Sequence, residues 1–247
     1  MVGHTHLRAG FQTVLNLIYP PTCLTCDTLV EGPGALCAAC WAETPFITGL
    51  VCDLCGAPMP GDSSGVETCD DCLRVARPWT QGRAALVYRG NGRKLVMALK
   101  HGDRTDIAPT AAQWMARAAR PLRRDGMIVA PVPLHWTRFL RRRFNQSALL
   151  AQHTARLLTL THVPDLLTRP RRTAPLEGLG RDQRFARLQD AITATPRHAA
   201  TLRGHPVLLV DDVMTSGATL AAASEACLRA GAREICVLTL ARVVKDA

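Results

Sequence analysis

Two adjacent carboxylates, Asp211 and Asp212, follow a continuous apolar run at residues 207–210 and precede a short hydroxyl-rich stretch, Thr215, Ser216, Gly217, Ala218 and Thr219. The run reads as a buried strand and the residues from 218 to 229 read as a helix. The acids therefore fall at the carboxyl end of a strand, where ligands bind in open α/β sheets. Carboxylates placed there can accept hydrogen bonds from sugar hydroxyls and favour positive charge developing on a ribose ring. The small residues that follow let backbone N–H groups close around a phosphate at a helix N-terminus, with the hydroxyls as further donors. Gly217 admits a backbone angle that other residues resist. Acids near a helix start often only cap it. That reading leaves the hydroxyl-rich loop beside two acids without a reason. A P-loop is excluded because no Gly-Lys-Ser/Thr occurs in the stretch, and the dinucleotide pattern Gly-x-Gly-x-x-Gly is missing.

A second chemistry resides in the cysteines. Eight of the ten form four Cys-x-x-Cys pairs, all before residue 73. Cys23 and Cys26 are followed after ten residues by Cys37 and Cys40; Cys52 and Cys55 are followed after thirteen by Cys69 and Cys72. Each set offers four soft thiolates, the donor set of tetrahedral zinc. Four thiolates leave no open coordination position, so two structural zinc sites are expected rather than catalytic ones. Disulfides fit less well, because the stretch 7–19 is too short and too interrupted for an export signal. Serial pairs also differ from a single redox Cys-x-x-Cys, and their spacing from that of iron–sulfur proteins. Cys227 and Cys236 stand apart and read as small buried hydrophobes.

Elements must hold these groups in place. The region to about residue 80 is rich in turns and poor in long periodic runs, which suits loops ordered by metal. Residues 7–19 read as a short amphipathic helix with Phe11, Leu15 and Ile18 on one face. Beyond residue 80 strands and helices alternate. Strands are expected at 84–88, 127–130, around Leu166 and Leu167, at 207–210 and at 234–243. Helices are expected at 92–101, around 107–118, after Asn145 or Ser147 as cap, and at 218–229. In the third of these, Leu149, Leu150, His153 and Leu157 are assigned a common side. The segment 169–187 reads as a long arginine-rich loop. Continuous apolar strands alternating with helices imply an α/β fold with a parallel sheet flanked by helices.

Charge divides the chain at the same place. Residues 1–80 hold 3 Lys/Arg and 8 Asp/Glu, a net of −5, whereas residues 81–247 hold 27 and 12, a net of +15. Two domains are expected, 1–80 and 81–247, the second facing anions. No apolar run reaches the ~18 residues of a membrane helix, so no membrane insertion is expected. Cysteine usage suggests a reducing, cytoplasmic location.

The residues Val-Asp-Asp-Val-Met-Thr-Ser-Gly-Ala-Thr, 210–219, resemble the phosphoribosyl pyrophosphate motif of type I phosphoribosyltransferases. Upstream lie Ala-Leu-Lys-His-Gly (98–102), Pro-Val-Pro-Leu-His-Trp-Thr-Arg (131–138) and Arg-Phe-Asn-Gln (143–146). Together with the cysteine ribbons, and in this order, they resemble the ComF/GntX family over nearly the whole chain. The resemblance implies a double zinc ribbon followed by a type I phosphoribosyltransferase-like domain. It implies ribose hydroxyls on Asp211 and Asp212, the 5-phosphate on Thr215 to Thr219, and Mg2+ accompanying the pyrophosphate. The chain departs from the family pattern at Arg143, where a glycine is usual, and at Leu176 and Arg187, where a glutamine and an asparagine are common.

Further residues take readings from this likeness. Lys100 reads as a phosphate ligand or as a helix-surface lysine. Arg138 and Arg143, with Arg141 and Arg142, read as pyrophosphate or nucleic-acid ligands or as a solvated basic face. Asn145 and Gln146 read as substrate contacts, with a helix cap as the alternative for Asn145. His135 reads as an orienting group, and 169–187 as a loop covering the substrate or an ordinary exposed one. Two functions follow. One is transfer of the phosphoribosyl group from Mg-phosphoribosyl pyrophosphate to an unidentified acceptor. The other is a non-catalytic role in competence and DNA uptake, with single-stranded DNA or competence proteins as partners. The aromatic content of 4% argues against an extensive base-stacking platform.

Overall fold

The computed structural model describes residues 19–63, 65–101, 104–134, 144–170 and 191–244. The predicted N-terminal helix, His135, Arg138, Arg141 to Arg143, Leu176 and Arg187 lie outside these residues. The chain divides into two compact units, Met1–Thr44 and Pro45–Ala247. The smaller holds the first cysteine set, an antiparallel bridge between Thr22 and Leu29, and the short helix α1 (Ala38–Glu43).

The larger unit is built on a five-stranded sheet. Its strands are β1 (Gln81–Val87), β2 (Ile128–Pro131), β3 (Thr161–His162), β6 (Pro206–Met214) and β7 (Glu234–Arg242), in the spatial order β1-β7-β6-β2-β3. All four pairings are parallel, as the continuous apolar strands predict. Strand β6 is the middle strand, and its residues from Pro206 to Val210 are all buried. A separate antiparallel pair joins β4 (Leu167–Thr168) and β5 (Thr193–Ala194).

The α-helices among its described residues are α2 (Asp70–Arg74), α3 (Gly90–His101), α4 (Ile107–Ala118), α5 (Gln146–Leu158), α6 (Ala199–Leu202) and α7 (Ala218–Arg229). Helix α5 packs against α4, β2 and β6. Its buried face runs Gln146, Ser147, Leu150, Ala151, Thr154, Ala155, Leu158. This corrects the face expected from the leucines: Leu157 is 50% exposed. Four of these seven residues are small, Ser147, Ala151, Thr154 and Ala155, which permits close approach of the helix to the sheet. Strand β6 also runs further than expected, so Asp211 and Asp212 lie within the strand and not after it.

The other face of the sheet carries α7 and the second cysteine module. Cys52, Cys55, Ala57, Cys72 and Trp79 join one apolar cluster with Val207, Leu209, Val237, Met214, Ala218 and Ala221. One backbone and one side-chain contact hold the module onto β1: Gly82 N–H donates to Asp53 O at 2.8 Å, and the Arg83 guanidinium pairs with the Asp53 carboxylate at 2.6 Å. Gly56 lies against this strand with φ of +67°, and a Cβ there would meet Ala84 N at 2.6 Å. Both the angle and the space demand glycine. Cys227 and Cys236 are buried in the same unit, as expected.

Candidate functional site

The middle strand delivers its two acids into different surroundings. Asp211 accepts a hydrogen bond from Ser147 Oγ at 2.8 Å and one from the Asp212 backbone N–H at 2.9 Å. Asp212, 8% exposed, is ion-paired with Lys100 Nζ at 2.9 Å. Burial, with the neighbouring Asp212 charge second, pushes the Asp211 carboxyl up to about 7. Ser147, Lys100 and the Asp212 N–H act in the opposite direction but do not offset the burial.

Lys100 comes from the last turn of α3, and Ser147 from the first turn of α5. Asn145 sets the latter in place. It caps α5 by accepting from Ser147 N–H at 3.0 Å, while its Nδ2 donates to Val132 O at 3.2 Å. Gln146 is buried, at 1% exposure. Ser147 is a site residue that sequence reasoning noticed only as a possible cap; its bond to Asp211 joins residues 64 apart in the chain.

The loop after β6 turns directly into α7. Gly217 takes the N-cap position with φ of +83°, and its carbonyl receives the Ala221 N–H at 2.8 Å. Thr215 is exposed, Ser216 and Thr219 are half-buried, and Ala218 is buried. The loop's outer carbonyls are taken by two arginines. Arg242 Nη1 donates to Met214 O at 3.2 Å and to Thr215 O at 2.7 Å. Arg77 Nη1 donates to Ser216 O at 2.7 Å. Sequence reasoning missed both arginines, which carry no local signal. Lys100, Asp211, Asp212 and Thr215 to Thr219 are thus brought to one end of the sheet.

The cysteines assemble as their spacing predicts. In each set four sulfurs lie within 4.8 Å of one another. Cys26 and Cys37 sulfurs are 3.7 Å apart, and Cys55 and Cys69 sulfurs 3.6 Å. Tetrahedral zinc with bonds of ~2.3 Å places its sulfurs ~3.8 Å apart, so the donor sets fit the ion. All ten cysteines are free of disulfides. Crowding polarises the second set. Cys52 is held far below the ordinary thiol range by hydrogen bonds from Cys55 and Cys72, and Cys72 is driven far above it by Cys52 and Cys55, with Arg77 opposing that rise.

A third feature lies at the opposite end of the sheet, where β2 begins. Gln113, Ala116, Arg117, Arg120, Arg123, Leu157 and Leu158 line an open recess of about 420 Å³. Among the described residues no helix is long and apolar enough to cross a membrane.

Comparison with known proteins finds two matched domains. Residues 14–73 match the double zinc ribbon domain, and residues 145–246 match the phosphoribosyl transferase domain. The DNA utilization protein YhgH of Escherichia coli is 31% identical over 235 residues, covering 92% of this chain and 100% of that protein. Competence protein F of Haemophilus influenzae is 28% identical, covering 89% of this chain and 96% of its own. Competence protein ComFC of Bacillus subtilis is 26% identical, with coverages of 91% and 96%. An adenine phosphoribosyltransferase from Thermoanaerobacter pseudethanolicus matches with a TM-score of 0.32 and 17% identity, over 60% of this chain and 86% of that one.

Proposed function

Because the chain belongs to the ComF/GntX family, which joins a double zinc ribbon to a phosphoribosyltransferase domain, we propose that it binds Mg-phosphoribosyl pyrophosphate and transfers the phosphoribosyl group to an acceptor. One observation carries the reading. An acid pair near the end of the middle strand, Asp212 buried and Asp211 partly so, leads within five residues into a left-handed glycine that opens a twelve-residue helix.

Asp211 and Asp212 accept the ribose hydroxyls, and amides of Thr215 to Thr219 receive the 5-phosphate at the start of α7. Lys100, ion-paired with Asp212, brings positive charge toward the phosphates. Arg138 and Arg143 are assigned to the pyrophosphate, and Gln146 to the substrate. For Asn145, contact with substrate means giving up its bonds to Ser147 and Val132. During transfer the bond from ribose C1 to the pyrophosphate oxygen breaks and its electron pair leaves with pyrophosphate. A lone pair of the acceptor forms the new bond to C1, and the acceptor releases a proton. The acid pair stabilises the oxocarbenium-like charge between these events. The carboxylates of Asp211 and Asp212 are oxygen donors of the kind Mg2+ takes, and a bound Mg2+ would neutralise phosphate charge.

Titration calorimetry with Mg-phosphoribosyl pyrophosphate should show binding that Asp212→Asn weakens at least about tenfold, as loss of a charge-assisted hydrogen bond requires. A pyrophosphate-release assay across purine, pyrimidine and amine acceptors should then find the acceptor class. No binding, with no change on Asp212→Asn, would overturn the ribose-phosphate site; binding without release from any acceptor class would confine the protein to binding.

A second reading is handling of single-stranded DNA. It is favoured by the relatives named for competence and DNA utilization and by the recess bordered by Arg117, Arg120 and Arg123. DNA binding that survives substitution of both aspartates, without pyrophosphate release, distinguishes it from the first.

A further inference from the structure

The second cysteine module forms one wall of the β6–α7 loop, and two guanidinium groups connect them. Arg77 lies five residues beyond Cys72 and donates to Ser216 O at 2.7 Å. Its guanidinium carbon sits 5.4 Å from the centre of the Trp79 ring. Trp79 in turn donates from Nε1 to Leu54 O at 2.5 Å, inside the turn between Cys52 and Cys55. Arg242, 3% exposed at the end of β7, donates to Met214 O and Thr215 O. Its Nη2 reaches Asp71 Oδ2 at 4.0 Å, and Asp71 immediately precedes Cys72. Three successive carbonyls of the loop are therefore engaged by side chains that are tied to the second cysteine module.

Peptide planarity gives this a consequence. In a trans peptide the C=O of one residue and the N–H of the next point in opposite directions. Met214 O, at the end of β6, also receives the Val243 N–H at 3.0 Å; holding the loop carbonyls of Thr215 and Ser216 on Arg242 and Arg77 turns the N–H groups of Ser216 and Gly217 away from these guanidinium groups. Those are the amides that would receive a phosphate. Gly217 completes the contact: a Cβ there would meet Arg77 Nη1 at 2.8 Å and Trp79 Cη2 at 3.1 Å.

We propose that Arg77 and Arg242 are positioning residues that hold the phosphate loop in its binding conformation, and that the metal-loaded second cysteine set keeps both in place. The inference rests on the ribose-phosphate reading for its ligand, but the loop's order can be measured without one. Every loop contact named above comes from within Pro45–Ala247.

The test uses the full zinc-loaded chain. Amide hydrogen exchange of residues 215–219 is measured first, then calorimetry with ribose 5-phosphate. Arg77→Ala should speed exchange at these amides and weaken ribose 5-phosphate by about tenfold, the size expected for one charged hydrogen bond. Its melting temperature should stay unchanged, and Arg77→Lys, which keeps a donor, should recover much of the loss. Selective loss of the second zinc through Cys72→Ser should reproduce the loop effect; loss of the first through Cys26→Ser should not. Wild-type exchange in both Arg77→Ala and Arg242→Ala would overturn the inference, and so would a loss accompanied by general destabilisation that lysine does not rescue. If wild-type protein binds neither ribose 5-phosphate nor phosphoribosyl pyrophosphate, the functional reading fails, while the exchange rates still decide the loop's dependence on the arginines.

Discussion

Asp211 carries the most distinctive chemistry at the residue scale. Its carboxyl is raised by burial and by Asp212 from an ordinary value of 3.8 to about 7. The folded state therefore holds this proton more tightly than the unfolded chain does. Its contribution to stability is full below about pH 4 and is lost as pH rises through about 7. Asp211→Asn should remove that dependence and stabilise the ligand-free protein at pH 8, by on the order of a few kcal/mol. Thermal melting between pH 4 and 8 checks this; a wild-type slope in the variant would rule it out. Binding should run the other way. Accepting a ribose hydroxyl favours the ionised carboxylate, so ribose 5-phosphate affinity should rise from pH 6 to 8 more steeply in wild-type protein than in Asp211→Asn.

Two elements meet at the site for local reasons that differ. Helix α7 begins where it does because Gly217 can adopt φ of +83°, and this is written in the loop's own residues. Helix α5 begins at Asn145, but its importance lies in aiming Ser147 at Asp211, which only packing against β6 achieves. The cysteine modules also differ. Cys52, Cys55 and Cys72 are buried in the cluster shared with β6 and α7, whereas Cys26 is exposed. Cys52→Ser should lower bound zinc from two ions per chain to one and also lower the melting temperature of the larger unit. Metal analysis with calorimetric melting tests both outcomes. Two zinc ions retained would contradict the four-thiolate assignment, since a structural site needs all four ligands.

Across the whole molecule, charge and sheet polarity separate the surfaces. Parallel strands place the acid pair and phosphate loop at one end. Arg117, Arg120 and Arg123 border a recess at the other, with the half-exposed Leu157 as an apolar flank. If that recess follows a nucleic-acid backbone, binding of single-stranded DNA should weaken with salt. Replacing the three arginines by alanine should reduce the log–log salt slope by about 2, with phosphoribosyl pyrophosphate affinity unchanged. An unaltered slope would exclude this recess as the DNA surface. The two ends can then be assigned separately, because neither experiment touches the residues of the other.

The sequence by itself determined what depends on local chemistry. The four Cys-x-x-Cys pairs specify two four-sulfur centres, since each knuckle fixes two ligands and the loop length allows the return of the other two. The apolar runs determined the parallel sheet, and the residues from Asp211 to Thr219 determined strand, loop and helix. The tertiary structure alone decided which distant groups complete the site. Ser147 on Asp211, Lys100 on Asp212, and Arg77 and Arg242 on the loop carbonyls are contacts across 64, 112, 139 and 27 or more residues of chain. No periodicity records such pairings, because hydrogen bonds and ion pairs of this kind depend on how the elements pack. Packing likewise joined the second cysteine module to the sheet through apolar burial of Cys52, Cys55 and Trp79, a contact that composition and charge do not record.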